Sequence, residues 1–277
     1  MMKKTNSLLL TGLLGCTLMG AFSAHAEDAA LPAAEPASPH SFSANVGFFS
    51  DYVFRGISYT RERGALQGGF DYSHSSGIYL GTWASNVHKD ALYGNTLEVD
   101  LYGGYIHKFT DDVSLNVGFL QFFYPDSDKI AGQSANTTEL NAAVTYKYLT
   151  LKHSYALTDF FGYNTKSIGG LAVGSHTLGT GDTKGTGYTE LNLNYPLPYE
   201  GLNLALHVGH QAIKNYSALS YTDFLIGVNK DFAIAGSTGW NAGINYITTD
   251  ATDNFYADLS GWKTGDDKTV VYLKRTF

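Results

Sequence analysis

Charged residues in this sequence stand at alternating positions within apolar, aromatic segments. In residues 45–58, for example, Asp51 and Arg55 interrupt a run of phenylalanine, tyrosine and aliphatic side chains. Because successive side chains of a β-strand point to opposite faces, such charges share the polar face of their strands. Charges gathered on one face can form ion pairs with each other or attract and guide mobile ions, so an electrostatic role is favoured for these residues. The charged residues on the predicted polar, lumen-lining faces are Asp51, Arg55, Asp71, Glu98, Asp100, Glu139, Lys147, Lys152, Glu190, Asp223 and Lys274.

Catalytic and metal-binding motifs have weaker support. His88, His176 and His210 are candidate bases of a hydrolase in the outer loops, but none stands in a recognisable nucleophile motif. The glycine-rich residues 179–187 lack the spacing of a phosphate-binding loop, and the carboxylates of residues 250–267 lack ordered ligand spacing. We therefore predict no catalytic residue, no metal and no cofactor, and a hydrolase remains a minor alternative.

The first predicted strand indicates which of its two faces should meet lipid and which should point inward. One face carries Phe48, Tyr52 and Phe54, and the other carries Asp51 and Arg55. Since burying both ions in hydrocarbon would cost several kcal/mol, the aromatic face is expected to meet lipid and the charged face to point inward.

Comparable segments recur along the chain and predict an all-β fold. Links after odd-numbered segments are long or polar, whereas links after even-numbered segments are mostly short. An even number of strands with this alternation predicts a closed antiparallel outer-membrane β-barrel of about 12 strands, with short periplasmic turns and long extracellular loops. After the first, the predicted strands are residues 65–73, 78–86, 96–107, 113–124, 139–148, 149–158, 188–195, 202–211, 222–230, 240–248 and 269–277.

The first 41 residues are predicted to lie outside the barrel. Residues 1–26 join a basic start, an apolar run and a small-residue cleavage site, the pattern of a secretory signal peptide. Residues 27–41 are rich in alanine and proline and predict a periplasmic tail, so the barrel domain is residues 42–277. Cleavage would remove the single cysteine and leave 16 basic against 25 acidic residues, which argues against binding to nucleic acid.

Three segments carry a family resemblance: residues 50–58 (SDYVFRGIS), 67–72 (QGGFDY) and 77–86 (GIYLGTWASN). With these segments the chain resembles the TorF-type family of exported proteobacterial proteins assigned as porins. The resemblance covers most of the mature chain and implies an outer-membrane barrel. It implies no catalytic residues and no particular substrate.

Two functions remain open for the predicted barrel. A narrow passive channel for small polar solutes or ions would have a mild cation preference, because inward carboxylates outnumber inward cations. Alternatively, side chains fill the lumen, with Arg55 paired to Asp51, Asp71 or Glu98, and the outer loops, including residues 159–187, act in binding or adhesion. The expected partners are outer-membrane lipid and lipopolysaccharide, the barrel-insertion machinery and small solutes or ions.

Overall fold

The computed structural model describes residues 38–126, 129–170, 172–173, 176–253, 255–258 and 260–277. Twelve antiparallel strands in this part of the chain form one closed barrel, which confirms the predicted fold. The strands are β1 (His40–Phe49), β2 (Ala65–His74), β3 (Ile78–Asn86), β4 (Leu97–Lys108), β5 (Val113–Phe123), β6 (Thr137–Tyr146), β7 (Leu149–Ala156), β8 (Gly187–Pro196), β9 (Leu202–Ala212), β10 (Tyr221–Ile234), β11 (Ser237–Thr249) and β12 (Lys268–Thr276).

Closure occurs at β1, which pairs on both of its edges. One edge pairs with β2, from His40 opposite His74 to Phe49 opposite Ala65. The other edge pairs with β12, where Phe49 lies opposite Tyr272. Strands β2 to β11 each pair with the strands before and after them in sequence, and β12 pairs with β11 and β1, so every barrel strand has two hydrogen-bonded neighbours. Pairing on both edges supplies hydrogen-bond partners for the backbone N–H and C=O groups of the strands, which water cannot supply within a bilayer.

The links differ in length at the two ends of the barrel. Short turns join β2 to β3, β4 to β5, β6 to β7, β8 to β9 and β10 to β11, and the other links are long. β1 begins at His40, so residues 40 and 41 belong to the barrel and not to the predicted tail. The predicted signal peptide and residues 27–37 of the tail lie outside the described residues and stay predictions.

The two walls of the barrel differ in polarity. Phe42, Phe70, Leu101, Ile226 and Val271 are exposed on the outer wall. The inner wall carries carboxamides, hydroxyls, tyrosines and the charged residues considered below. In the described part of the chain, no helix reaches the length and apolarity that crossing a bilayer requires.

Glycines on the inner wall make room for tyrosine rings. Gly81 lies opposite Tyr102 on the neighbouring strand, and Gly243 lies opposite Tyr272. A Cβ atom at Gly243 would lie 2.5 Å from the Tyr272 hydroxyl. Since real Cβ contacts are longer than this, a side chain at Gly243 would require the Tyr272 ring to move.

Candidate functional site: the barrel lumen

The loop after β1, residues 50–64, folds into the barrel. Within it, Val53–Phe54 pairs with Ile57–Ser58 in a small hairpin, called here the inward hairpin. Its turn residues Arg55 and Gly56 have φ angles of 47° and 80°, the combination that closes a two-residue hairpin. Residues 51–60 are all buried, which places the hairpin inside the barrel wall.

The inward hairpin corrects the predicted first strand. Phe48 is 60% exposed on the outer wall, as expected, but Tyr52 and Phe54 are only 1% and 4% exposed. Both rings therefore lie within the protein and do not face lipid. The strand stops at Phe49, and the continuing alternation of residue types misled the prediction, because an aromatic ring can pack against lipid or against other rings in the lumen.

Arg55 crosses the lumen to the far wall. Its Nη1 and Nη2 atoms donate to Glu139 Oε1 and Oε2 on β6 at 3.0 and 2.7 Å, and Nη1 also donates to Gln211 Oε1 on β9 at 2.9 Å. The guanidinium carbon lies 4.3 Å from the centre of the Tyr188 ring. The predicted partners of Arg55 were Asp51, Asp71 or Glu98, and this was wrong because the turn carries the side chain past them to β6.

Asp51 holds the inward hairpin in shape. Its Oδ1 atom accepts hydrogen bonds from Ser58 Oγ at 2.8 Å, Thr60 Oγ1 at 2.7 Å and the Glu62 backbone N–H at 3.2 Å. Burial raises the pKa of the Asp51 carboxyl, and the hydrogen bonds from Thr60 and Ser58 oppose part of that rise. Lys268 anchors the same hairpin from β12, since its Nζ donates to the Gly56 carbonyl at 2.9 Å.

Aromatic residues surround the tip of the inward hairpin. Phe54 packs edge-on against Phe122 of β5 and Phe161 of the long loop after β7, with ring centres 5.4 and 5.8 Å from that of Phe54. Phe161 lies in the 3₁₀ turn Phe160–Gly162, which is buried with it. Nearby, Glu98 accepts hydrogen bonds from the hydroxyls of Tyr52 and Tyr124 at 2.7 and 2.8 Å. The long loops after β1 and β7 thus narrow the lumen at the end of the barrel that bears the long links.

A second polar cluster lies on strands β7 to β10. Lys152 Nζ lies 3.6 Å from Glu190 Oε1, and His207 Nε2 lies 2.9 Å from Asp223 Oδ2. The Tyr188 hydroxyl donates to Asp223 Oδ1 at 2.9 Å. Lys152, Glu190 and Asp223 are buried, so each charge is balanced by a neighbour and not by bulk water.

Asp100 differs from the other inward carboxylates. It is fully buried on β4, yet neither carboxylate oxygen has a hydrogen-bond partner among the described residues. The buried acidic residues of the lumen are Asp51, Glu98, Asp100, Glu139, Glu190 and Asp223, and the buried basic ones are Arg55, Lys152 and Lys268. The described lumen therefore carries an excess of carboxylates around the inward hairpin.

The other predicted lumen residues fall in different places. Asp71 is partly buried and accepts a hydrogen bond from the Tyr102 hydroxyl at 2.6 Å. Lys274 lies on the inner face of β12, opposite Asn241. Lys147 was predicted to line the lumen but lies in the short turn between β6 and β7, 3.6 Å from Asp112, with nearly half of its side chain exposed. The prediction for Lys147 was wrong because the chain reverses direction within the two residues that join β6 to β7.

Several residues of the site were missed or assigned to other roles. Lys268 was placed in a loop, Tyr52 was placed toward lipid, and Gln211 and Tyr124 were not recognised as lumen residues. The dipeptide Arg55–Gly56 between Phe54 and Ile57 was an available signal, because X-Gly flanked by apolar residues is typical of a two-residue hairpin. Among the described residues, no three histidine, cysteine or acidic side chains converge to hold a metal ion.

A family comparison decides membership. Residues 33–277 match the model of a bacterial protein family of unknown function, Gcw_chp. The chain belongs to this family. No curated protein matches the sequence. The more specific resemblance to TorF-type proteins stays an expectation.

Solved structures of similar shape include the KdgM porin, with 8% identity, 85% of this chain and 98% of that chain covered, and a TM-score of 0.49. The NanC porin gives 10% identity, coverage of 86% and 99%, and a TM-score of 0.46. The outer membrane protein OprD from Pseudomonas aeruginosa gives 13% identity, coverage of 85% and 64%, and a TM-score of 0.38.

Proposed function

We propose that this protein is an outer-membrane, porin-like channel through which small polar solutes or ions pass. The observation that carries the proposal is the opposite polarity of the two barrel walls. The outer wall exposes aliphatic and aromatic side chains, while the inner wall carries carboxamides, hydroxyls and charges. A closed barrel with an apolar exterior and a polar interior can hold water across a membrane.

The inward hairpin is the constriction of the proposed channel. It enters from the β1–β2 side and is fixed on the far wall through Arg55 and Glu139. Solutes would pass beside it and then through the half of the barrel that bears the short turns, where the inner wall carries uncharged polar groups. That wall includes Asn116, which accepts a hydrogen bond from the Tyr79 hydroxyl at 2.9 Å, and Asn241, which donates to Asn229 at 3.1 Å.

A mild cation preference is part of the proposal. The described lumen buries more carboxylates than lysine and arginine side chains, with Asp100 unpartnered among the described residues. Fixed negative charge in a confined space with low-dielectric walls raises the local concentration of cations.

A filled barrel is the second candidate. The complete burial of residues 51–60 and the packing of Phe54 on Phe122 and Phe161 favour it. In this alternative the hairpin is a plug, and function lies in the outer loops as binding or adhesion surfaces. The outer-membrane location, lipopolysaccharide contact and the barrel-insertion machinery are common to both candidates.

Permeation of neutral solutes tests the proposal without interference from charge. Proteoliposomes containing folded wild-type protein are diluted into an isotonic pentose or disaccharide, and osmotic swelling is recorded. We expect the pentose to enter clearly faster than into protein-free liposomes, and the disaccharide to enter more slowly than the pentose. Absence of swelling with both sugars would contradict an open channel and favour the filled barrel.

A further inference from the structure

The outer wall carries a cation without a carboxylate partner at the end of the barrel that bears the short turns. Arg275 lies on β12, directly opposite Trp240 on β11. It shares the outer face with Leu273 and Phe277, both of which are exposed. A guanidinium at this level meets the boundary between hydrocarbon and lipid headgroups.

The surroundings of Arg275 hold it in a fixed orientation. Its guanidinium carbon lies 5.2 Å from the Trp240 ring centre and 4.4 Å from the Phe277 ring centre. Nη2 donates to Ser237 Oγ at 2.6 Å. We call Ser237, Trp240, Arg275 and Phe277 the Arg275 patch. Two aromatic rings and one hydroxyl orient the cation but do not neutralise it.

Hydrogen-bond donors outnumber acceptors in the Arg275 patch. Arg275 Nε and Trp240 Nε1 are buried N–H donors without an acceptor among the described residues. No carboxylate among the described residues lies within ion-pair distance of the Arg275 guanidinium. Its hydrogen bond goes to the hydroxyl of Ser237. Unsatisfied donors beside a positive charge call for an anionic acceptor.

We propose that the Arg275 patch binds the phosphodiester group of a glycerophospholipid in the membrane leaflet next to the short turns. An arginine fork matches phosphate oxygens, and the flanking rings suit the interfacial level where this group lies. The acyl chains would continue along the exposed apolar wall. The proposal rests on the membrane location in the proposed function but does not depend on whether the lumen conducts.

Lys147 is a matched control at the same end of the barrel. Its Nζ lies 5.6 Å from the Tyr146 ring centre, which resembles the stacking of Arg275. Unlike Arg275, it has a carboxylate, Asp112, at 3.6 Å. Since its charge is already paired in an exposed turn, Lys147→Gln should leave lipid binding unchanged.

The test uses full-length protein in detergent and three separate titrants. The first is the phospholipid dioleoylphosphatidylglycerol, the second is dioleoylglycerol, which has the same acyl chains but no phosphate, and the third is inorganic phosphate. The readouts are the midpoint of heat-induced unfolding and lipid adducts in native mass spectrometry. In wild type and Lys147→Gln, we expect only the phospholipid to raise the midpoint and give a retained adduct. In Arg275→Gln, the lipid concentration for half-maximal effect should rise about tenfold or more, the consequence of losing a charge-assisted hydrogen-bond set.

Three results would overturn the proposal: an unchanged phospholipid response in Arg275→Gln, an equal response to dioleoylglycerol, or an equal response to inorganic phosphate. If Arg275→Gln does not fold, Arg275→Lys replaces it, with a several-fold weaker response expected because the charge remains and the fork is lost. An unchanged response in Arg275→Lys would then count against the patch. Conductance is measured separately, so failure here leaves the channel proposal standing.

Discussion

Arg55 and Glu139 connect the inward hairpin to the opposite wall of the barrel through two hydrogen bonds of 3.0 and 2.7 Å. Their side chains are only 3% and 2% exposed. A buried ion pair contributes modestly when intact, but the loss of one partner leaves an unpaired charge in a low-dielectric site. The position of the inward hairpin therefore depends on this one pair more than on any exposed contact.

Removing the positive partner should destabilise the barrel. Arg55→Gln leaves the Glu139 carboxylate without its counter-ion, so we expect a loss of about 3–5 kcal/mol in the free energy of unfolding. Urea unfolding in detergent, followed by the heat-sensitive gel shift of folded barrels, measures it. Lys147→Gln, in an exposed ion pair, should change stability by about 0–1 kcal/mol. A change for Arg55→Gln as small as that of the control would show that the pair is unimportant.

The double variant Arg55→Gln/Glu139→Gln separates charge from packing. Because it removes both charges, we expect it to recover part of the stability lost in Arg55→Gln. Equal losses in the single and double variants would mean that the arginine acts through its stacking on Tyr188 and not through the carboxylate.

Asp100 is expected to lower the stability of the folded protein. Its carboxylate is fully buried without a partner among the described residues, and an amide is less costly than a charge in such a site. Asp100→Asn should therefore raise stability by on the order of 1–2 kcal/mol, whereas Glu139→Gln should lower it. Thermal unfolding of the two variants compares them directly. A destabilising Asp100→Asn would reveal an interaction of the charged form.

Glu98 and Asp100 together should set ion selectivity. The double variant Glu98→Gln/Asp100→Asn replaces two carboxyl groups on the wall beside the hairpin with uncharged amides. In a salt gradient across a planar bilayer, we expect its zero-current potential to move toward anion permeability. Asp126→Asn, in an outer loop, is the control and should leave the potential near the wild-type value. A potential that does not move in the double variant would place the ion path elsewhere.

Acid should strengthen the docking of the inward hairpin through Asp51. The folded-state pKa of this carboxyl is raised above 3.8, chiefly by burial, so the folded protein binds a proton more readily than the unfolded chain. The stabilisation is complete below pH 3.8 and is lost as pH rises through the folded-state pKa. Comparing unfolding of wild type and Asp51→Asn between pH 7 and pH 4 isolates this effect. We expect the wild type to gain stability relative to Asp51→Asn on acidification, and the opposite trend would refute the assignment.

Much of the fold follows from local sequence. Alternating residue types and the alternation of long and short links predict twelve strands, because a membrane barrel repeats one strand-and-turn unit. Alternation cannot distinguish lipid from a packed lumen, so Tyr52 and Phe54 were assigned to the wrong side. It also cannot predict ion pairs, since Arg55 and Glu139 stand 84 residues apart and meet only when the barrel closes.

The central claim, a channel constricted by the inward hairpin, is tested most directly by conductance in planar bilayers. The two proteins to compare are the wild type and a variant in which two glycines replace Val53–Ser58. The Tyr59 backbone N–H donates to the Tyr52 carbonyl at 2.7 Å, so two residues can close this gap without moving the barrel strands. We predict that wild type conducts with a small, cation-preferring conductance and that the shortened variant conducts severalfold more. Silent wild-type protein beside a conducting variant would contradict a constricted channel and identify the hairpin as a plug. Equal conductance in both proteins would contradict its role as the constriction.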